Sequence, residues 1–235
     1  RDLHSFPTRR SSDLTNGTDF AHDREDFSRR REVMLIVLGA LAKRYSLRMA
    51  LAGIEVADGV VAQVRRGFTL SDGVPLHQVR NYYREAYESI RINAPDVTVI
   101  LPDAGMPGSW RRFMSPRRYE NVWLDSHLYH YRDHIDSVGP TGIRMLSNAS
   151  RESMRLAMKS GLPVMVGKWS ASLPFPDSAT TPEGRIALER VYISEQLAIF
   201  KNCPAWFFNT WKTDKHLGGW DARVALSSFE RAMLT

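Results

Sequence analysis

Five short apolar runs alternate with long segments of helical pattern along this chain, and that alternation limits the fold more than any single residue does. The runs are residues 49–57 (MALAGIEVA), 97–101 (VTVIL), 121–129 (NVWLDSHLY), 163–167 (PVMVG) and 204–211 (PAWFFNTW). Between them, apolar positions recur at helical spacing. Residues 24–45 carry Phe27, Val33, Leu35, Val37, Leu38, Leu41 and Ala42, and residues 75–93 place Val79, Tyr82, Tyr83, Ala86, Tyr87 and Ile90 on one face. Further helices are predicted over 147–160, over 182–200 with Pro182 and Glu183 in the first turn, and over the closing DARVALSSFERAML at 221–234. Strands separated by helices need crossover connections, and these imply a parallel sheet with helices outside it.

Composition narrows the class without naming a function. An apolar content of 43% over 235 residues is enough for a sizeable core. The single Cys203 cannot form an internal disulfide. The run VMLIVLGALA at 33–42 is too short to span a bilayer and is expected as a buried helix. A net charge of +6, with Arg scattered among Asp and Glu, does not read as a nucleic-acid stripe. The first residues stand apart. Residues 1–14, RDLHSFPTRRSSDL, match codon for codon the translation of a short-read sequencing adapter, so the domain is expected to run over 15–235.

The sheet is either doubly wound or a barrel. No strand is followed by a Gly-rich phosphate turn, whereas polar and aromatic residues gather at the strands' carboxyl ends: Asp58, Asp103, His127, Tyr129, Lys168, Trp169, Asn209 and Trp211. That distribution is the mark of a (β/α)8 TIM barrel, whose site is assembled from strand ends.

At these residues a family resemblance becomes specific. GIEVADGV at 53–60, VWLDSHLYH at 122–130, VMVGKWSA at 164–171 and WFFNTWKT at 206–213 resemble the last strands of family 5 glycoside hydrolases, nearest to the exo-β-1,3-glucanase type. The resemblance covers essentially all of residues 15–235. It implies a barrel truncated to roughly strands 4–8, because TNGTDF at 15–20 resembles the loop that follows the family's third strand. It also implies an acid/base Glu in an Asn-Glu-Pro triplet, a nucleophilic Glu in a Gly-Glu-Trp triplet, a His-x-Tyr pair, and a Trp that stacks on the sugar.

This chain departs from the pattern at both carboxylates. The Asn-Glu-Pro positions read Asp58, Gly59 and Val60, so Gly59 stands at the acid/base position; the Gly-Glu-Trp positions read Gly167, Lys168 and Trp169, so Lys168 stands at the nucleophile position. Retaining hydrolysis needs two carboxyl groups about 5 Å apart, and a lysine ammonium repels an oxocarbenium-like centre. Neither catalytic residue is intact. The expectation is a catalytically impaired barrel that binds a β-glucan or related oligosaccharide. The alternatives are an active hydrolase using Asp58, Glu55 or Asp125 as a substitute carboxylate, and an inert fragment. Asp58 or Glu55 is the expected counter-charge of Lys168.

The expected substrate-binding residues are Asp58, His127, Tyr129, Trp211, Asn16 and Trp110, the last lining an outer subsite or else capping the barrel. Trp206 and Phe208 are read as core, and Trp220 stays undecided. His127, His130 and His134 have suggestive spacing but lack a clean carboxylate partner, so no metal and no cofactor are expected. The remaining expectations are no nucleic-acid or membrane partner and a monomer when full length. The compartment stays open.

Overall fold

The structure is a computed structural model describing residues 24–66, 69–71, 73–131, 133, 138–175, 181–214 and 218–227. The elements are α1 (Arg24–Tyr45), β1 (Gly53–Glu55), β2 (Arg65–Arg66), β3 (Thr69–Leu70), α2 (Leu76–Arg91), β4 (Thr98–Pro102), β5 (Val122–Leu128), α3 (Pro140–Met158), β6 (Val164–Trp169), α4 (Pro182–Phe200), β7 (Trp206–Phe208) and α5 (Ala222–Ala225). Five strands are hydrogen-bonded in the order β1-β4-β5-β6-β7. The resolved pairings among them, β1 with β4, β4 with β5 and β6 with β7, are parallel. This strand-and-helix succession is that of a (β/α)8 barrel truncated to its last five strands, as expected. No described helix is long and apolar enough to cross a membrane.

The chain divides into two compact units, residues 1–125 with 159–162, and residues 126–158 with 163–235. In the first, α2 is built as its sequence period predicts, with Val79, Tyr82, Tyr83, Ala86, Tyr87 and Ile90 all buried. Its tyrosines do more than fill space. The Tyr82 hydroxyl donates to the Val56 carbonyl at 2.5 Å and the Tyr83 hydroxyl to the Pro102 carbonyl at 2.8 Å, which ties the helix to the carboxyl ends of β1 and β4. At the other end Arg91 donates to the carbonyls of Val97 and Glu120, both at 2.6 Å, so one guanidinium clasps the entries to β4 and β5. Gly53 permits β1 to approach β4: a Cβ there would lie 2.9 Å from Ile100 Cδ1 and 3.0 Å from the Thr98 carbonyl.

In the second unit Val138, Ile143, Leu146, Leu173 and Tyr192 form one apolar cluster. A second gathers round Trp169, which is fully buried and meets Phe200, Trp206 and Phe208 edge-on at centroid distances of 5.2, 5.7 and 4.9 Å. Trp206 and Phe208 pack against Trp169 but stay half-buried, short of the core expected for them, while Phe207 between them is exposed. The start of α4 is capped by Thr181, whose hydroxyl accepts from the Gly184 amide at 3.1 Å, with Pro182 and Glu183 following.

Four expectations need correction. The strand over 49–57 is only Gly53–Glu55, because residues 46–50 turn and leave Leu47 and Met49 in solvent. The strand over 204–211 is only Trp206–Phe208. The helix over 147–160 begins earlier, at Pro140, whose fixed φ suits a first helical turn. The run at 33–42 is not a buried helix: Leu38 and Ala42 are covered, but Val33, Ile36, Val37 and Leu41 are exposed. Packing on α2 covers only one stripe of α1, through Phe27 against Tyr82 and Arg31 bonded to Glu85. The hairpin β2–β3 was not expected. The closing helix expected over 221–234 is helical only over Ala222–Ala225 among the described residues, which end at Ser227.

Candidate functional site

In the first unit, the end of β1 holds Glu55, Asp58 and Gly59. Glu55 is half-buried and Asp58 exposed. Gly59 has φ +69°, in the left-handed region that side chains rarely adopt, and nothing lies within 4 Å of where its Cβ would be. The end of β4 leads into Asp103, whose carboxylate accepts the Gly105 amide at 2.9 Å. On β5, Asp125 is buried and holds a carboxylate oxygen within 4.8 Å of one from Glu55. His127 follows two residues along β5 and belongs to the second unit.

Trp110 does not line an outer subsite. It is fully buried, stacks on Tyr83 at 5.3 Å, and donates its indole N–H to the Asp103 carbonyl at 2.7 Å. An indole whose N–H meets a partner inside the core is a packing residue, and this one fastens the crossover after β4 to α2. Asn16 and His134 lie outside the described residues.

In the second unit, the exits of β5 and β7 meet. The Asn209 amide donates to the Tyr129 hydroxyl at 2.9 Å. Tyr129 stacks on Trp220 at 5.8 Å, and Tyr131 meets the same indole edge-on at 4.9 Å. Trp220 and Tyr131 were missed as members of this group. The tyrosine pair spaced by one residue after β5 was the available signal, but nothing local placed GGWD beside it. Trp211 lies beyond the end of β7 and is 70% exposed. Its loop is held by backbone bonds from Thr210 to Trp220 and from Ala222 to Thr210. Buried Asp221 completes it by accepting from the Thr213 amide and from Arg223, which holds its carboxyl far below the usual range. Lys168 is half-buried on β6, between Val166 and Trp169, where the register against β7 shifts. His130 is a structural residue: its ring nitrogens meet Ser150 Oγ at 2.8 Å and Asp133 at 2.5 Å, so neither remains for a metal.

One titrating group sits behind this loop. Glu189 on α4 is pushed up to about 7 by burial, opposed by the Gly219 amide it accepts and by Arg185. Gly218 and Gly219 make the approach possible: a Cβ on the first would lie 3.1 Å from the Glu189 carboxylate, and one on the second 2.5 Å from the Ser172 amide. A carboxyl raised in the folded state binds more protons there than in the unfolded chain, so stability is full below the ordinary carboxylate range and is lost as pH rises through about 7. Glu189→Gln is expected to remove that dependence, worth roughly 3 kcal/mol at most. Urea unfolding at pH 5 and pH 8 checks it, and equal pH slopes in both proteins would refute it.

No protein-family model matches the chain. Its sequence is 25% identical over 228 residues to the probable glucan 1,3-beta-glucosidase A of Aspergillus niger, covering 80% of this chain and 50% of that protein. It is 24% identical over 232 residues to the glucan 1,3-beta-glucosidase of Schwanniomyces occidentalis, covering 83% and 51%. Its fold matches endo-glycoceramidase II from Rhodococcus sp. with a TM-score of 0.58 at 17% identity, over 91% of this chain and 46% of that one. It matches an endoglucanase with a TM-score of 0.56 at 12% identity, over 85% and 66%. The chain spans about half the length of the curated relatives it matches. The resemblance carried by the strand-end motifs is borne out: over its five-stranded part of a barrel, this chain is similar to family 5 glycoside hydrolases, the glucan 1,3-beta-glucosidases among them.

Proposed function

We propose that this chain is part of a β-glucanase-like barrel that binds a β-glucan or related oligosaccharide and is impaired in hydrolysis. The observation that carries the impairment is the pair of residues at the two carboxylate positions. Gly59 adopts a backbone conformation unsuited to a glutamate, and Lys168 on β6 carries an ammonium in place of a carboxylate. Binding rests on His127 and Tyr129, on the exposed Trp211, and on Asp58. An indole offers its face to the C–H side of a sugar ring, while nearby polar groups meet the hydroxyls. In this reading the protein is a monomer, uses no cofactor, and has neither a nucleic-acid nor a membrane partner.

Calorimetric titration with short β-1,3-glucans is the test. Trp211→Ala is expected to weaken binding by about tenfold or more, as loss of an aromatic anchor does, with no change in melting because the ring is mostly in solvent. Equal binding by both proteins, or no binding of any β-glucan, would leave an inert relic instead.

One observation favours an active hydrolase with substitute carboxylates, namely that carboxylate oxygens of Glu55 and Asp125 lie within 4.8 Å of each other, so two carboxyl groups share one site as retaining hydrolysis requires. Asp125 is only 1% exposed, which places it poorly for a bulky sugar and leaves the impaired reading ahead. Hydrolysis by the unmodified protein that Asp125→Asn abolishes would reverse that order.

A further inference from the structure

Away from the strand-end residues, the connection between β4 and β5 carries an uneven charge. Residues 104–119 hold four arginines, Arg111, Arg112, Arg117 and Arg118, and no Asp, Glu or Lys. All four are exposed. No ion pair is recorded for any of them among the described residues. Two more arginines join them from α2. The Arg80 guanidinium lies 5.6 Å from the centre of the Phe113 ring and Arg84 lies 4.9 Å from it, while Arg118 lies over Tyr119. Arginines that are scattered in sequence are thus gathered in space.

The backbone shapes this ridge. Arg112 at φ +60° and Met114 at φ +47° are both left-handed, and the turn they make buries Phe113 and Met114 while Arg111 and Arg112 remain outside. Of the acidic residues that adjoin these segments in the described sequence, Glu85 is bonded to Arg31, and Glu88 and Glu120 are exposed.

We propose that this ridge docks an acidic polysaccharide, a chain bearing uronate carboxylates or sulfates. Arginine forks pair such groups two bonds at a time, and a fork held over a ring loses less freedom on binding. Of the rings beneath, Trp110 is fully and Phe113 nearly covered and Tyr119 is half-buried, so none stands exposed for stacking on a nucleic-acid base. No large apolar side chain of residues 104–119 is exposed to enter a lipid surface. Likeness to glucan-active proteins makes a glycan the fitting polyanion. The ridge belongs to the first unit and uses none of the proposed sugar-binding residues, so the two readings fail separately.

The test is equilibrium binding of the whole chain to labelled polygalacturonate and to a heparin oligosaccharide, with duplex DNA and phosphatidylserine vesicles alongside. Both acidic glycans are expected to bind, and to weaken by about tenfold or more between low salt and roughly 0.5 M salt. Replacing Arg111, Arg112, Arg117 and Arg118 together by Ser should cost about tenfold or more in affinity at low salt, leaving titration with neutral β-1,3-glucan as in the parent protein. If that variant melts early, Arg117→Ser with Arg118→Ser, which spares the left-handed turn, should still cost about threefold. Unchanged affinity in a folded variant, absence of binding to either glycan, or equally tight binding of DNA or vesicles would each overturn the proposal.

Discussion

Lys168→Glu is expected to give measurable release of an activated aryl leaving group from aryl β-glucosides, where the unmodified protein gives none, with a gain of about 100-fold or more over background. A good leaving group needs little help from an acid, so the nucleophile is the missing part that limits this reaction. Position 168 lies in β6, where the register against β7 shifts, and already carries in Lys a side chain longer than Glu. Gly59→Glu should recover far less. No neighbour obstructs a Cβ there, but the φ of +69° sets any L side chain in strained geometry, and the attacking group would still be absent. Single-turnover measurements with a dinitrophenyl glucoside compare the two. A gain at 59 equal to or above that at 168 would contradict the proposed placement of the two positions, and strong activity in the unmodified protein would contradict the impairment itself.

Trp169→Ala should be the most destabilising single change in the second unit. The ring is fully buried and meets Phe200, Trp206 and Phe208, so its removal empties the junction of β6, β7 and α4. Loss of a buried Trp costs about 3 to 5 kcal/mol, made up of lost transfer energy and the cavity left behind. Urea unfolding monitored by circular dichroism measures it, and a cost below about 1.5 kcal/mol would show that the junction collapses to fill the space. The contrast with Trp211 is useful. Two indoles at neighbouring strand ends should separate cleanly, one governing stability and the other binding.

The strand ends that carry the proposed site were legible before the fold was seen. The strand-end positions of His127, Tyr129, Lys168 and Trp211 are those the motifs predicted, at the ends of β5, β6 and β7, and the comparisons bear out the family likeness that those motifs suggested. Trp110 went the other way. Its loop, GMPGSWRRFM, looks like a surface segment in sequence, yet the left-handed turns at Arg112 and Met114 fold it back on α2 and bury the indole. Trp220 was undecidable because its partners, Tyr129 and Tyr131, are some 90 residues away in the chain. The partnership of Tyr129 with Asn209 was hidden for the same reason.

What the amino-acid order determined by itself is the local part of the architecture. The buried face of α2 follows from a 3.6-residue apolar period, the start of α4 from Thr181, Pro182 and Glu183, and the parallel sheet from strands that only crossovers can connect. These depend on near neighbours along the chain, which a sequence displays directly. Tertiary structure alone decided which apolar faces were covered and which polar groups met. The period of α1 promised burial, but α2 is its one substantial packing partner among the described elements, and an amphipathic pattern states only that a face can be buried. The raised carboxyl of Glu189 against Gly219 and the arginines assembled around Phe113 likewise arise from distant segments brought within a few ångströms, where burial and charge act through space and not along the chain.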